Sequence, residues 1–273
     1  MIVALVLLLI ALLGAPLFVV IAAGAMSGFH ATDIDLMVMA IEIYRLAELP
    51  VLVAIPLFTF AGFLLGESGA PRRLVDLSHA LLGWMPGGLA IIALATCALF
   101  TAFTGASGVT IVALGALLYP ALRQAGYTEH FSLGLVTSSG SLGLLFAPSL
   151  PLILYGVVAQ QLGLEVPVSI NDLFIAGLLP GLLMIVLLSA WSMWQRPPQL
   201  AVPGESRPSA GRALRAAAWE LPLPVIVLGG IYSGYFAISE AAAVTAVYVF
   251  VVEVLILREI PLRQLTRIVR EAM

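Results

Sequence analysis

The chain has 273 residues, 62% of them hydrophobic and 10% charged, with a mean hydropathy of +1.11 and a formal net charge of -3. A water-soluble domain of that length with so little charge would aggregate, so the composition excludes a soluble enzyme or a nucleic-acid binder and leaves an integral membrane protein. The single cysteine, Cys97, lies in an apolar run and supplies neither an internal disulfide nor a metal site.

Apolar runs fall at 2–27, 49–66, 88–120, 131–160, 172–194, 219–235 and 237–257. A helical span needs about 20 such residues. The ten-residue alternation of a membrane barrel is missing, so the fold class expected is an all-α polytopic membrane protein. The first run has no basic flank before it and no clearly placed small-residue cleavage site, which makes it a first span rather than a removed leader.

Every cation is an arginine, and their placement orients the spans. Residues 28–48 carry Asp33, Asp35, Glu42 and Glu48 against Arg45 alone. Arg72 and Arg73 lie in 67–86, Arg196, Arg207, Arg212 and Arg215 in 195–218, and Arg258, Arg263, Arg267 and Arg270 in 258–273. The positive-inside rule puts the first of these segments outside and the other three in the cytoplasm. Trp84, Trp191, Trp194 and Trp219 fall near the interfaces so defined, as anchoring tryptophans do.

That orientation constrains the third run. The loop holding Arg123, Glu129 and His130 must be cytoplasmic, because the next run has to emerge at the acidic loop holding Glu165 and Asp172. Residues 88–120 therefore enter and leave by one face. Their length suits two half-depth helices, and "TAFTGASGVT" at 101–110 supplies the turn, so a re-entrant helical hairpin is predicted, its tip enclosed by protein or lining a cavity.

The next run carries "TSSGSLGLLFAPSLPLILYG" at 137–156, with Pro148 and Pro151 at about half depth. Proline removes a donor and clashes with the preceding turn, so 131–160 is read as a broken transmembrane helix whose carbonyls around Gly143–Phe146 lack helical partners.

After the span at 172–194, "PPQLAVPGESRPSAGRALRAAA" at 197–218 reads as a cytoplasmic linker. The pattern then partly restarts. The span 237–257 is followed by the amphipathic "REIPLRQLTRIVREAM", with Leu262, Leu265, Ile268 and Val269 on one face, as 2–27 is followed by "DIDLMVMAIEIYRLAE". The first connection is acidic and outside and the second is basic and inside, the charge signature of an inverted repeat. Residues 1–196 would be the first repeat and 219–273 the start of an incomplete second one, so a C-terminally truncated version of a longer protein is expected.

An ordered set of motifs covers nearly the whole chain: "PLFTFAGFLLGESGAPRRLVDLSHALLGWMPGGLA" (56–90), "FTGASGVTIVALGALLYPALRQAGY" (103–127), "SSGSLGLLFAPSLPLILYG" (138–156), "LFIAGLLPGLL" (173–183) and "GGIYSGYFAISEAAAV" (229–244). Together they resemble the large membrane subunit (M, DctM-type) of tripartite ATP-independent periplasmic (TRAP) transporters. The chain departs from the family pattern at Ala147, where a proline is common, and at Ala237, Ile238 and Ser239, where threonines and a proline are common; Glu240 is kept.

The resemblance implies an ion-transporter-like permease in a bacterial inner membrane, a small membrane (Q) subunit, and a periplasmic substrate-binding (P) protein delivering an organic acid such as a C4-dicarboxylate. No cofactor is implied beyond sodium as the coupling ion. With no lysine there is no phosphate-cradling GxxxxGK[ST] loop, so an ion gradient must supply the driving force.

The hairpin tip and the break carry the chemistry for a sodium ion and a carboxylate. Helix N-termini offer free amide donors to an anion, while released carbonyls and hydroxyls coordinate a hard cation. The expected site is Gly105, Ser107, Gly108, Thr110, Ser138, Ser139, Gly140, Ser141, Gly143, Pro148 and Ser149. Glu240 is a further candidate, weighed against a first-turn carboxylate favoured by the helix dipole. Glu253 is expected to snorkel or to pair with Arg258.

Three other readings compete. A related divalent-anion/sodium symporter would work without a binding protein. "GASG" at 105–108 resembles the nucleophile motif of intramembrane serine proteases, but His30, His79 and His130 all fall in expected loops, away from Ser107. Small residues also serve plain helix packing in a non-transporting scaffold.

Overall fold

Proline and glycine set the boundaries between helices. The structure, a computed structural model, describes residues 2–82, 87–105, 107–162, 168–195 and 209–272. Trp84, Glu165, Arg196, Arg207 and the first part of the expected linker lie outside the described residues. Among the described residues every regular element is helical.

The chain divides into two compact units, Met1–Leu52 and Val53–Met273. In the first, the run expected as one span, 2–27, forms two helices, α1 (Ile2–Leu12) and α2 (Leu17–Ala31), packed on each other. Gly14 takes a left-handed φ of +92° and Pro16, lacking an amide donor, precedes the first turn of α2. The amphipathic α3 (Met37–Ala47) follows. Leu5, Leu8, Leu12, Leu17 and Phe18 are exposed, as suits contact with lipid.

The second unit holds α4 (Ala54–Glu67), α5 (Ala70–Leu82), α6 (Gly88–Thr104), α7 (Ser107–Gln124), α8 (Glu129–Leu142), α9 (Leu150–Gln161) and α10 (Ile170–Trp194). It continues with α11 (Ala210–Ala216), α12 (Pro222–Tyr232), α13 (Ile238–Phe250) and α14 (Leu262–Ala272). Pro50–Glu67, Ile170–Trp194 and Ile238–Ile256 are long and apolar enough to cross a bilayer, and the bent pair Glu129–Leu145 and Leu150–Gln161 adds a fourth if it counts as one broken span. The protein is an all-α polytopic membrane protein.

Capping fixes where the helices begin. The Ser169 hydroxyl accepts from the Asp172 amide while the Asp172 carboxylate accepts from the Ser169 amide, each at 3.1 Å, and this reciprocal box starts α10. Thr128 caps α8 and Ser149 caps α9. The second half of the expected linker is α11, an alanine-rich turn whose Ala213 packs with Ala217 against Leu77 of α5. The amphipathic α14 lies on α4 and buries Ile268 and Ala272, leaving Leu262 exposed.

The core of this unit is α6, which touches α4, α5, α7, α8 and α10. Gly62 of α4 permits the closest approach: a Cβ there would lie 2.5 Å from Thr104 Cα. α4 also packs along α13, so the last long helix is tied to the hairpin through α4.

Candidate functional site

The hairpin reverses at Gly105. Its φ of +62° is costly for any residue with a Cβ, and its amide donates to the Thr101 carbonyl at 2.8 Å, closing α6 before α7 begins at Ser107. A Cβ at Gly105 would meet Leu150 Cγ at 2.5 Å. Leu150 is the first residue of α9, so the hairpin tip meets the break in the next membrane segment. The two interrupted elements are neighbours, and the starts of α7 and α9 lie close together.

The break bends its segment by 41°. α8 ends at Leu142, a 3-10 turn covers Gly143–Leu145, and α9 resumes after Pro148. The carbonyls expected to lack helical partners there find others in part. Gly143 accepts from the Phe146 amide at 3.1 Å, and Leu144 accepts from the Ser149 hydroxyl at 2.5 Å. The cap residue of α9 thus closes part of the gap that the proline opens.

Glycines on α8 and in the turn after it bring the hairpin and the broken helix into backbone contact. A Cβ on Gly140 would lie 2.5 Å from Ile111 Cγ1 and 3.4 Å from the Ser107 carbonyl oxygen. A Cβ on Gly143 would collide with the Ala98 carbonyl, Thr101 Cβ and the Ala102 amide of α6. Across this seam the Thr101 hydroxyl donates to the Gly140 carbonyl at 3.0 Å and lies 2.7 Å from the Thr110 hydroxyl, which is 3.3 Å from that of Thr104. All three threonines are buried.

Of the expected residues, Gly105, Ser107, Thr110, Gly140 and Gly143 meet at the seam, with Pro148 and Ser149 buried beside the tip. Ser139 is buried and donates to the Val136 carbonyl at 3.0 Å. Ser138 and Ser141, three apart and so on one helical face, are exposed instead, and Ser138 donates to the Gly134 carbonyl of its own helix at 2.7 Å. Gly108 is exposed and lines a cavity of about 310 Å³ between α4, α7 and α14, with Phe63, Gly66, Glu67 and Glu271 among its walls. Glu240 is exposed and its carboxylate accepts from the Ala237 amide at 2.9 Å, the local role of a first-turn acid.

Two groups of residues were missed by reasoning on sequence. Thr101 and Thr104 lie three apart on α6, on the face toward Thr110, and that spacing was visible in "TAFTGASGVT". The second is Arg73, treated above as a topology determinant. It is largely buried and ion-paired with Glu220, Glu253 and Glu259. The expected pairing of Glu253 with Arg258 is therefore corrected. A π-helical turn over Val251–Ile256 turns Glu253 toward α5, while Arg258 takes a φ of +55° and donates to the Leu255 carbonyl at 3.4 Å.

Chemically, the seam offers hydroxyl and carbonyl oxygens without a charged side chain, next to two helix N-termini. Such a set has oxygens suited to coordinate a hard monovalent cation and amide donors suited to an anion.

Comparison with known families matches residues 1–273 to the family described as "Tripartite ATP-independent periplasmic transporter, DctM component". The chain is 34% identical over 250 residues to the C4-dicarboxylate TRAP transporter large permease protein of Rhodobacter capsulatus, covering 88% of this chain and 57% of that protein. It is 37% identical over 257 residues to the ectoine/5-hydroxyectoine TRAP transporter large permease protein of Ruegeria pomeroyi, covering 92% and 58% respectively. Over 213 residues it is 38% identical to the isethionate TRAP transporter permease protein DctMQ of Oleidesulfovibrio alaskensis, covering 77% and 32%. The chain thus spans a little over half the length of the first two of these curated relatives. All three are named as transporter permeases and not as enzymes.

Proposed function

Because the chain belongs to the DctM-component family of tripartite ATP-independent periplasmic transporters, we propose that it forms the hairpin-bearing part of a large permease subunit that imports an organic acid with sodium. It is a transporter-family protein and not an enzyme. The observation that carries the reading is the meeting of Gly105 with Leu150, which puts two broken membrane elements and two helix N-termini at one place.

In this reading the sodium ion is held by oxygens of the seam, from Thr101, Thr104, Thr110 and the carbonyls at the ends of α6 and α8. The ion offsets the charge of a carboxylate drawn to the amides at the starts of α7 and α9. Neither ligand needs a buried charged side chain, which in a bilayer would cost several kcal/mol, about 3 on insertion scales. A periplasmic binding protein delivers the acid, a small membrane subunit accompanies the permease, and the assembly sits in a bacterial inner membrane. The relatives are named for several different compounds, so the reading goes no further than the class of organic acid.

The test is uptake of labelled organic acid by the complete transporter containing this chain, reconstituted with its binding protein. Uptake should require a sodium gradient, and Thr110→Val should raise the sodium concentration for half-maximal rate. Equal uptake when choline replaces sodium would sink the coupling. Equal uptake without the binding protein would sink the tripartite assignment.

A further inference from the structure

A second cluster of charge lies outside the hairpin seam, where Arg73 of α5 meets Glu220 before α12, Glu253 in the π-helical turn after α13 and Glu259 before α14. Arg73 donates from Nε to Glu220 Oε1 at 2.5 Å, from Nη2 to both carboxylate oxygens of Glu253 at 3.3 Å, and from Nη1 to Glu259 Oε1. The other oxygen of Glu259 accepts from the Gly69 amide at 2.6 Å. Partial burial pushes the Glu259 carboxyl up, but the Gly69 amide and the Arg73 guanidinium outweigh it and hold this acid below the usual carboxylate range. Burial acts to lower Arg73 as well, and its three acidic partners outweigh it, so the guanidinium stays charged.

The charge count then does not close. Arg73 and Glu259 neutralise each other, leaving Glu220, 6% exposed, and Glu253, 1% exposed, against the same single cation. Glu220 Oε2 is buried and has no hydrogen-bond partner. That residue lines a cavity of about 20 Å³ whose other walls include Leu65, Leu74, Phe100 and Pro224, all apolar. An ionised pair with an orphaned oxygen against such walls would bear the full desolvation penalty of a surplus charge.

The remaining charged or titratable groups nearby do not remedy this. On α13, Tyr248 is committed to the Trp219 carbonyl at 2.8 Å. α4 ends in Glu67, which pairs with Arg267 at 2.5 Å. α11, packed on α5, carries Arg212 and Arg215, both exposed to solvent.

We propose that the Arg73 cluster is a proton-binding site, in which the acids gathered around Arg73 together hold one proton while the protein is folded. The site is distinct from the seam between hairpin and broken helix and does not rest on the transport reading. Its ligand is the proton itself. The cluster offers no ring of oxygens for a metal ion, and no group of three or more His, Cys, Asp or Glu suited to one occurs among the described residues.

Binding a proton in the folded state, where the unfolded glutamates hold none above about pH 5, makes stability level off above the pH at which the cluster releases it and fall as pH rises from about 5 to that point. With one proton at stake, the unfolding equilibrium constant rises about tenfold per pH unit there. The experiment is a pH series on the purified chain in detergent, read by thermal unfolding and by the infrared carboxylic C=O stretch. The wild type should keep a protonated-carboxyl band above about pH 5, and the fall in thermal stability should level off where that band titrates away. Glu220→Gln and Glu253→Gln each relieve the surplus charge, so each should fold, lose that band and flatten the pH dependence.

A band unchanged in both variants would overturn the proposal. So would failure of both glutamine variants to fold, since it makes the neutral state the native one. Stabilisation that tracks sodium at constant pH and ionic strength instead of pH would also overturn it.

Discussion

The hairpin seam and the Arg73 cluster are two polar regions among the described residues of the second unit, and they handle polarity in opposite ways. At the seam, neutral oxygens on Thr101, Thr110 and Gly140 are brought within hydrogen-bond reach by glycines that allow backbone to approach backbone. At the cluster, one guanidinium faces three acids, Glu220 in the turn before α12, Glu253 in the π-helical turn after α13 and Glu259 in the loop before α14. Neutral oxygens with close packing keep a site ready to accept charge from a ligand. A charge cluster already holds its own charge and ties elements together. The contrast separates a seam proposed to take up and release a cation and an anion from a charge cluster that ties distant parts of the chain together.

The sharpest way to break that contrast is at the cluster. Arg73→Ala leaves buried carboxylates without their cation and should destabilise the chain by about 3–5 kcal/mol, seen as a lower unfolding temperature in detergent. An unchanged melting temperature would mean that the cluster does not hold α5 to α12 and α13. Next comes Gly143→Ala, which pushes a methyl into the Ala98 carbonyl and the Ala102 amide. Overpacking of that kind costs about 1–3 kcal/mol. Gly134→Ala on the same helix meets nothing within 4 Å and should be neutral or slightly stabilising, so equal melts for the two variants would refute the close seam.

A smaller effect is expected from Thr101→Val, which keeps the shape but removes the donor to the Gly140 carbonyl. The loss should be about 1 kcal/mol in stability, with a larger change in the sodium dependence of uptake by the complete transporter. Smallest is Ser138→Ala. Its hydroxyl is exposed and bonded within its own helix, so stability should change by less than about 0.5 kcal/mol and uptake should survive. Loss of uptake in this variant alone would return Ser138 to the site and move the seam's boundary.

Much of this was legible beforehand because bilayer chemistry is strict. A broken helix in lipid is expensive, so prolines and glycines in an apolar run mark where protein must satisfy the backbone. Residues 101–110 and 137–156 could be picked out on that ground, and the structure brings them together at Gly105 and Leu150. The serines were harder. Ser138, Ser139 and Ser141 are equivalent as letters, and only the rotation of α8 against α6 and α7 buries Ser139 with Gly140 while Ser138 and Ser141 face out. The partner of the Leu144 carbonyl was not legible either, because the hydroxyl that bonds it comes from Ser149, five residues on across the bend.

Taken alone, the sequence determined that the chain is a helical membrane protein, where its membrane segments break, and which family it resembles. Each of these follows from local composition and order, since hydropathy, proline geometry and glycine permissiveness act over a few residues. Only the tertiary structure decided what meets what. It joined Arg73 to Glu220, Glu253 and Glu259, separations of 147 to 186 residues, and it made Thr101 part of the seam. An arginine near a membrane edge looks the same in sequence whether it orients a loop or sits at the centre of a buried charge cluster. The difference is set by which helices pack around it, and that information is distributed over the whole chain.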